Sequence, residues 1–289
     1  MASPKIVVFL QMIRFEHTIF ALPFAYVGAL LVGKSIPTAS SLIWITLAMV
    51  GARTAAMSLN RLIDRHIDAR NPRTAGRALP RGQLSVTEVY FYVAVSFGLL
   101  LLAAYQLSPL AFKLFPVAVA VLVLYSYTKR FTWACHLVLG LALGLAPLGA
   151  WIAIAGEFHL APILLAAGVM FWVAGFDIIY ACDDYNFDRQ EGIYSIPARF
   201  GIPGALKISS LLHMFAPVCF VAAGWILQLG IFYLAGVLLA VAILLYQHTL
   251  VSPGDLSKAG IAFFNLNGTL SLVVFFFTLL DVLFPLRVF

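Results

Sequence analysis

The sequence predicts an all-α membrane protein of about nine transmembrane helices, and three observations carry that prediction. Of 289 residues, 63% are hydrophobic and only 10% charged, with a mean hydropathy of +1.00, a balance that water-soluble domains of this length do not show. The apolar residues come in runs of about 20, the length of helix that crosses the hydrocarbon core, whereas barrel strands would be short and alternating. Finally, lysines and arginines gather between alternate runs, as they do in polytopic proteins.

Taken in order, residues 3–15 are too short and too interrupted to span, and read as an interfacial helix. Spans follow near 17–34, 40–60, 87–106, 109–127, 135–155, 161–182, 205–227, 229–249 and 260–285. Arg14 and Glu16 break the early apolar run and no small-residue cleavage site follows, so the first span is expected to be retained rather than removed as a signal peptide. The whole of 1–289 reads as a single integral-membrane domain. With the N-terminus cytoplasmic, fourteen lysines and arginines fall inside and only Lys34, Lys113 and Arg287 outside. The positive-inside bias therefore predicts a cytoplasmic N-terminus in the cell (inner) membrane. It also explains the net charge of +6 without nucleic acid.

Within the spans, Gly140, Ala142, Gly144, Ala146 and Gly149 form small-residue surfaces for close helix contact. His213, Asn265 and Asn267 read as polar contacts between helices. Cys135, Cys182 and Cys219 lie in or beside apolar segments without metal spacing and read as packing residues.

The chemistry is concentrated in two polar stretches. Asn60, Asp64 and Asp68 recur at four-residue spacing, which on a helix places them on one face. Asp177, Tyr180, Asp184 and Asp188 form a second such row, and the two stretches, with Asp183 and Glu191 beside the second row, hold seven of the twelve acidic residues. The predicted topology brings both rows to the same cytoplasmic membrane face. Carboxylates there are costly without cations. Carboxylate and amide oxygens suit Mg²⁺, which shares its remaining positions with substrate phosphates, and a diphosphate bridging two Mg²⁺ ions fits two rows.

Arg73 and Arg77 after the first row, and Lys129 and Arg130 between spans four and five, read either as diphosphate contacts or as markers of the inner face. Arg53, two turns deeper than Asn60, reads either as a structural pair for another helix or as an anchor for an anionic substrate group. A charged site opening into an apolar, aromatic-rich bundle suits an amphiphile with a diphosphate head and a hydrocarbon tail. Tyr180 could face an allylic carbocation through its ring; Tyr125 and Tyr127 read better as membrane-interface residues.

Asn60-x-x-x-Asp64-x-x-x-Asp68 with Arg73-Thr74-x-x-Arg77-x-Leu79-Pro80-x-Gly82 resembles the first signature of the UbiA family of intramembrane aromatic prenyltransferases. Asp177-x-x-Tyr180-x-x-x-Asp184-x-x-x-Asp188 is similar to the second, and Tyr125-x-x-x-Lys129-Arg130 to the loop between spans four and five. The resemblance implies a nine-helix bundle around a central cavity, Mg²⁺ dependence, and transfer of a polyprenyl group from polyprenyl diphosphate to a ring carbon of an aromatic acid. It implies that Asn60, Asp64, Asp68, Asp177, Asp184 and Asp188 bind the metal-diphosphate, that Lys129 touches the diphosphate, and that Tyr180 lies near the reacting carbon. The pattern is similar to 4-hydroxybenzoate polyprenyltransferases of ubiquinone synthesis, and Arg53-Thr54 with Asn60–Arg65 also to a group acting on a dihydroxynaphthoate in menaquinone synthesis; the acceptor stays open between them. Two competing classes use similar residues: an ion-coupled transporter, which would place its carboxylates near the midplane, and a lipid-diphosphate hydrolase, which would release a prenol.

Overall fold

The computed structural model describes residues 4–15 and 21–286. Ser3, the residues opening the expected first span, Glu16 and Arg287 lie outside the described residues. The elements are α1 (Lys5–Met12), α2 (Leu22–Leu31), α3 (Ala39–Arg70), α4 (Val86–Leu107), α5 (Pro109–Thr128), α6 (Cys135–Ala155), α7 (Leu160–Ala181), α8 (Tyr185–Glu191), α9 (Ile196–Ile226), α10 (Ile231–Thr249), α11 (Ala259–Ile261) and α12 (Asn267–Leu283). Among the described residues, eight helices are long and apolar enough to cross a membrane. The first expected span is represented by the shorter apolar helix Leu22–Lys34. The chain is thus a multi-pass membrane protein.

Local chemistry sets the ends. Ser85 and Glu88 form a reciprocal capping box on α4, Thr38 caps α3 and Ser108 caps α5. The α9 helix starts nine residues before the expected span, because a first turn from Ile196 is joined to the rest across Gly201 (φ 72°, ψ 165°), with Pro203 just beyond. Below that break the helix runs as predicted. One cap is tertiary: Asp281 of α12 accepts from the backbone N–H of Gly230 (2.8 Å) and Tyr233 (3.2 Å) at the start of α10.

The larger core lies in the second half of the chain, where Trp172, Phe220, Tyr233 and Leu270 are fully buried. Two of the polar residues expected to join helices do so here. Trp172 Nε1 donates to Asn267 Oδ1 at 2.8 Å, and His213 bridges His248 (2.9 Å) and the Trp172 carbonyl (3.1 Å). Asn265 lies instead on an exposed face of a π-helical turn, Ala262–Leu266.

The small-residue surface of α6 also acts as read. A Cβ on Gly140 would stand 2.3 Å from the Met170 carbonyl oxygen of α7, and one on Gly144 2.6 Å from that of Ala166. Gly149, by contrast, has nothing within 4 Å. Overpacking of this kind costs roughly 1–3 kcal/mol. Gly140→Leu is therefore expected to lower the unfolding midpoint in detergent by several degrees, while Gly149→Ala leaves it unchanged; equal midpoints would refute the close α6–α7 contact.

Candidate active site

The first acidic row occupies the last turns of α3, which stays helical well past the expected end of the span. Asp64 and Asp68 are buried there, 1% and 4% exposed, at a cost that only counter-charges offset. Asn60 Nδ2 donates to Asp64 Oδ2 (2.9 Å), Lys129 Nζ lies 2.6 Å from that same oxygen, and Arg130 Nη1 lies 3.0 Å from Asp64 Oδ1. Arg77 donates from Nη1 to both oxygens of Asp68, at 2.7 Å each. The loop after α3 therefore folds back on its own helix.

The second row does not form one uninterrupted helix. α7 ends at Ala181, a tighter turn covers Cys182–Asp184, and α8 carries Asp188. Even so, Asp177, Tyr180, Asp184 and Asp188 all line one cavity with Asn60, Asp64 and Asp68. Asp183 and Glu191, counted with the stretch in sequence, do not line it; Glu191 pairs with Arg70 at 2.8 Å.

Two residues of the first loop join the rows. Asn71 Nδ2 donates to Asp184 Oδ1 (2.9 Å). Arg73 donates from Nε to the same oxygen (2.9 Å), from Nη2 to Asp184 Oδ2, and from Nη1 to the Tyr180 hydroxyl (2.6 Å). Burial pulls the Arg73 guanidinium down, but its hydrogen bond and attraction to Asp184 more than offset this and raise it. The bridge thus keeps its positive charge at every pH the protein meets. Asn71 was not singled out in the sequence, because nothing in its own spacing separates a helix C-cap from a contact to a helix more than a hundred residues away.

The cavity has a volume of about 1630 Å³. From the two rows it extends to apolar side chains such as Leu107 at the end of α4, Leu114 and Phe115 in the first half of α5, and Phe158 in the loop between α6 and α7. Arg53 lines it too, but its guanidinium donates to the carbonyls of Ile13 (3.3 Å) and Arg14 (2.7 Å), tying down the segment after α1. Arg61 does the same to Met12 (3.3 Å). Tyr125, read as a membrane-interface residue, instead faces the cavity and donates to the Ala56 carbonyl at 3.2 Å. Tyr127 is exposed beneath Arg130 and does not line the cavity.

Among the described residues no three His, Cys, Asp or Glu side chains converge as a ready-made metal cage. That suits Mg²⁺, which takes one or two carboxylates and completes its shell with water and phosphate oxygens. Asp64 Oδ1 is buried without an aligned hydrogen-bond donor, despite the nearby Arg130 charge, and so retains acceptor capacity. The donor set fits a hard divalent cation arriving with a phosphate ligand.

Residues 21–277 match the model of the UbiA prenyltransferase family. This chain belongs to that family. It is an enzyme of prenyl-group transfer with the all-helical UbiA fold. Over 255 residues it is 33% identical to a 4-hydroxybenzoate octaprenyltransferase of Yersinia pseudotuberculosis, covering 85% of this chain and 84% of the relative. A protein of the same description from Shewanella sediminis is 29% identical over 270 residues, 91% and 93% of the two chains. Among solved structures, the apo form of a UbiA homolog from Aeropyrum pernix K1 superposes with a TM-score of 0.84 at 35% identity, covering 92% of this chain and 98% of that one. A UbiA homolog from Archaeoglobus fulgidus, solved bound to DMAPP and Mg²⁺, shares the fold with a TM-score of 0.69 at 22% identity over 92% and 98%.

Proposed function

We propose that this UbiA-family enzyme transfers a polyprenyl group from its diphosphate to a ring carbon of an aromatic carboxylic acid of the 4-hydroxybenzoate type, in quinone biosynthesis. The observation that carries the reading is the convergence of two acidic rows, with their bases, at one end of a long cavity that is otherwise apolar. The names of the Yersinia and Shewanella relatives support the acceptor class.

In this reading Asp64, Asp68, Asp184 and Asp188, with Asn60 and Asp177, hold two Mg²⁺ ions and through them the diphosphate. When bound, Mg²⁺ supplies Lewis-acid stabilisation of the departing diphosphate. Lys129, Arg73 and Arg77, which face the acids, turn part of their charge to the phosphate oxygens; bases already positioned cost little reorganisation when charge develops. Tyr180, held by Arg73 at its hydroxyl, presents its ring beside the allylic carbon, where π-density favours cationic character. The apolar reach of the cavity takes the prenyl chain and keeps water from the cation. Arg53 anchors the acceptor carboxylate if its hold on the segment after α1 relaxes on binding. The site lies at the cytoplasmic face of the inner membrane, following the lysine and arginine bias, and membrane lipid surrounds the bundle.

The deciding experiment incubates purified protein with a radiolabelled polyprenyl diphosphate and Mg²⁺, offering 4-hydroxybenzoate and a dihydroxynaphthoate side by side. Labelled prenylated 4-hydroxybenzoate is the expected product, formed at least about tenfold faster than the naphthoate adduct, a gap worth roughly 1.4 kcal/mol of transition-state discrimination. The naphthoate product alone would transfer the same chemistry to menaquinone synthesis. Free prenol with either acid would replace transfer by hydrolysis.

A further inference from the structure

His136 carries no role in the reading above, yet it stands at the junction of the site. It is 3% exposed, in the first turn of α6, and lines the same cavity. Its Nδ1 lies 2.7 Å from Asp177 Oδ2, and its Nε2 accepts the backbone N–H of Ile196 at 3.3 Å. An amide N–H can only donate, so Nε2 offers its lone pair and the ring proton is on Nδ1, directed at the carboxylate. The Asp177 side chain stays about a fifth exposed, at 22%, so the histidine occupies one oxygen without sealing the other from the cavity.

The neighbours of His136 give this contact its meaning. Residues 129–136 reach both acidic rows: Lys129 pairs with Asp64 of the first, and His136 with Asp177 of the second. Residues 194–196 contact that stretch and the second row in alternation. Tyr194 N–H donates to the Lys129 carbonyl (2.8 Å), Ser195 Oγ donates to Asp188 Oδ2 (2.8 Å), and Ile196 N–H meets His136. Three successive residues leading into α9 thus touch the backbone of Lys129, the last acid of the second row, and the histidine that meets its first acid.

We propose that His136 is a positioning residue: it holds the Asp177 carboxylate turned to the cavity through Nδ1–H and is itself docked on α9 through Nε2. The inference deepens the proposed function and rests on its reading of Asp177 as part of the metal-diphosphate site. Hydrogen-bond partners behind a metal-binding group orient it, and their loss typically weakens metal affinity by about 10- to 100-fold. Glutamine can reproduce both contacts, donating from its amide nitrogen and accepting at its oxygen, whereas leucine can make neither.

The test titrates Mn²⁺, read by electron paramagnetic resonance, into the purified full chain with inorganic pyrophosphate. Wild type is expected to bind, His136→Leu to bind at least about tenfold more weakly, and His136→Gln to stay within about threefold of wild type. Wild-type-like binding by the leucine variant overturns the inference alone, and so does equal weakening in both variants. Absence of Mn²⁺ binding in the wild type overturns the site reading and this inference with it. Should the leucine variant not fold, the ¹⁵N spectrum of histidine-labelled wild type decides, with the His136 signals assigned by their loss in the glutamine variant. A proton on Nδ1 with Nε2 bare supports the positioning role, and an unprotonated Nδ1 ends it.

Discussion

Asp64→Ala is expected to lower kcat/KM for prenyl transfer by about 10³-fold or more, with the protein still folded. Removing a single preorganised electrostatic contact to a transition state costs about 10²–10³-fold, and Asp64 is both a proposed metal ligand and the group on which neighbouring polar and basic side chains converge. Asn60 and Lys129 orient on its carboxylate and Arg130 stands 3.0 Å from it, so alanine removes a proposed metal ligand and also the partner that places Lys129, while Arg130 keeps its hold on the Ser126 and Ile63 carbonyls. Folding should suffer less than catalysis. Lys129 and Arg130 are about 27% and 33% exposed at their side chains and can turn to water, which spares the large penalty of a sealed, unpaired charge. Asp184→Ala should behave alike, since it removes the acceptor of Asn71 and Arg73 together and with it the bridge between the rows. The measurement is steady-state transfer of labelled prenyl groups beside a thermal melt. Activity within tenfold of wild type in either variant would remove the acidic rows from the mechanism.

Exhaustive chelation of divalent ions is expected to abolish transfer, by at least about 10²-fold, and millimolar Mg²⁺ to restore it. The expectation follows from the arrangement of the acids. In the described residues each carboxylate of the two rows is matched by a nearby Arg, Lys, His or Ser partner rather than by two further acids, so the rows offer no high-affinity cage of their own. A cation held by a few carboxylates that already have other partners, and completed by water and substrate phosphates, dissociates readily and is stripped by a chelator. Full turnover in excess chelator would show that Lys129, Arg73 and Arg77 alone bear the leaving charge.

These expectations were legible in the sequence to different depths. The spans could be read because crossing hydrocarbon demands about 20 apolar residues in a helix, a requirement each segment satisfies by itself. α6 appears at the predicted residues, 135–155, and α4, α5 and α7 within one residue at each end. The two rows could be read because four-residue spacing fixes a helical face before any packing occurs. The tightening of the backbone at Cys182–Asp184 was not readable, since a short turn between two helices leaves the same spacing in the sequence. Tyr125 shows a further limit: an aromatic near a helix end has the same composition signature whether it faces headgroups or the interior, and only the neighbouring α3 carbonyl reveals which.

What the sequence determined by itself is therefore the helical membrane architecture, the family, and the two acidic rows that the fold brings to one cavity, because each follows from local periodicity or from motifs contained in one stretch. The tertiary structure alone decided their partners: that Arg73 crosses to Asp184, that Arg53 grips the segment after α1, and that His136 joins Asp177 to α9. Hydrogen bonds and ion pairs act over about 3 Å, here between groups 39 to 111 residues apart in the chain, and their pairing exists only once helix packing has brought those groups together.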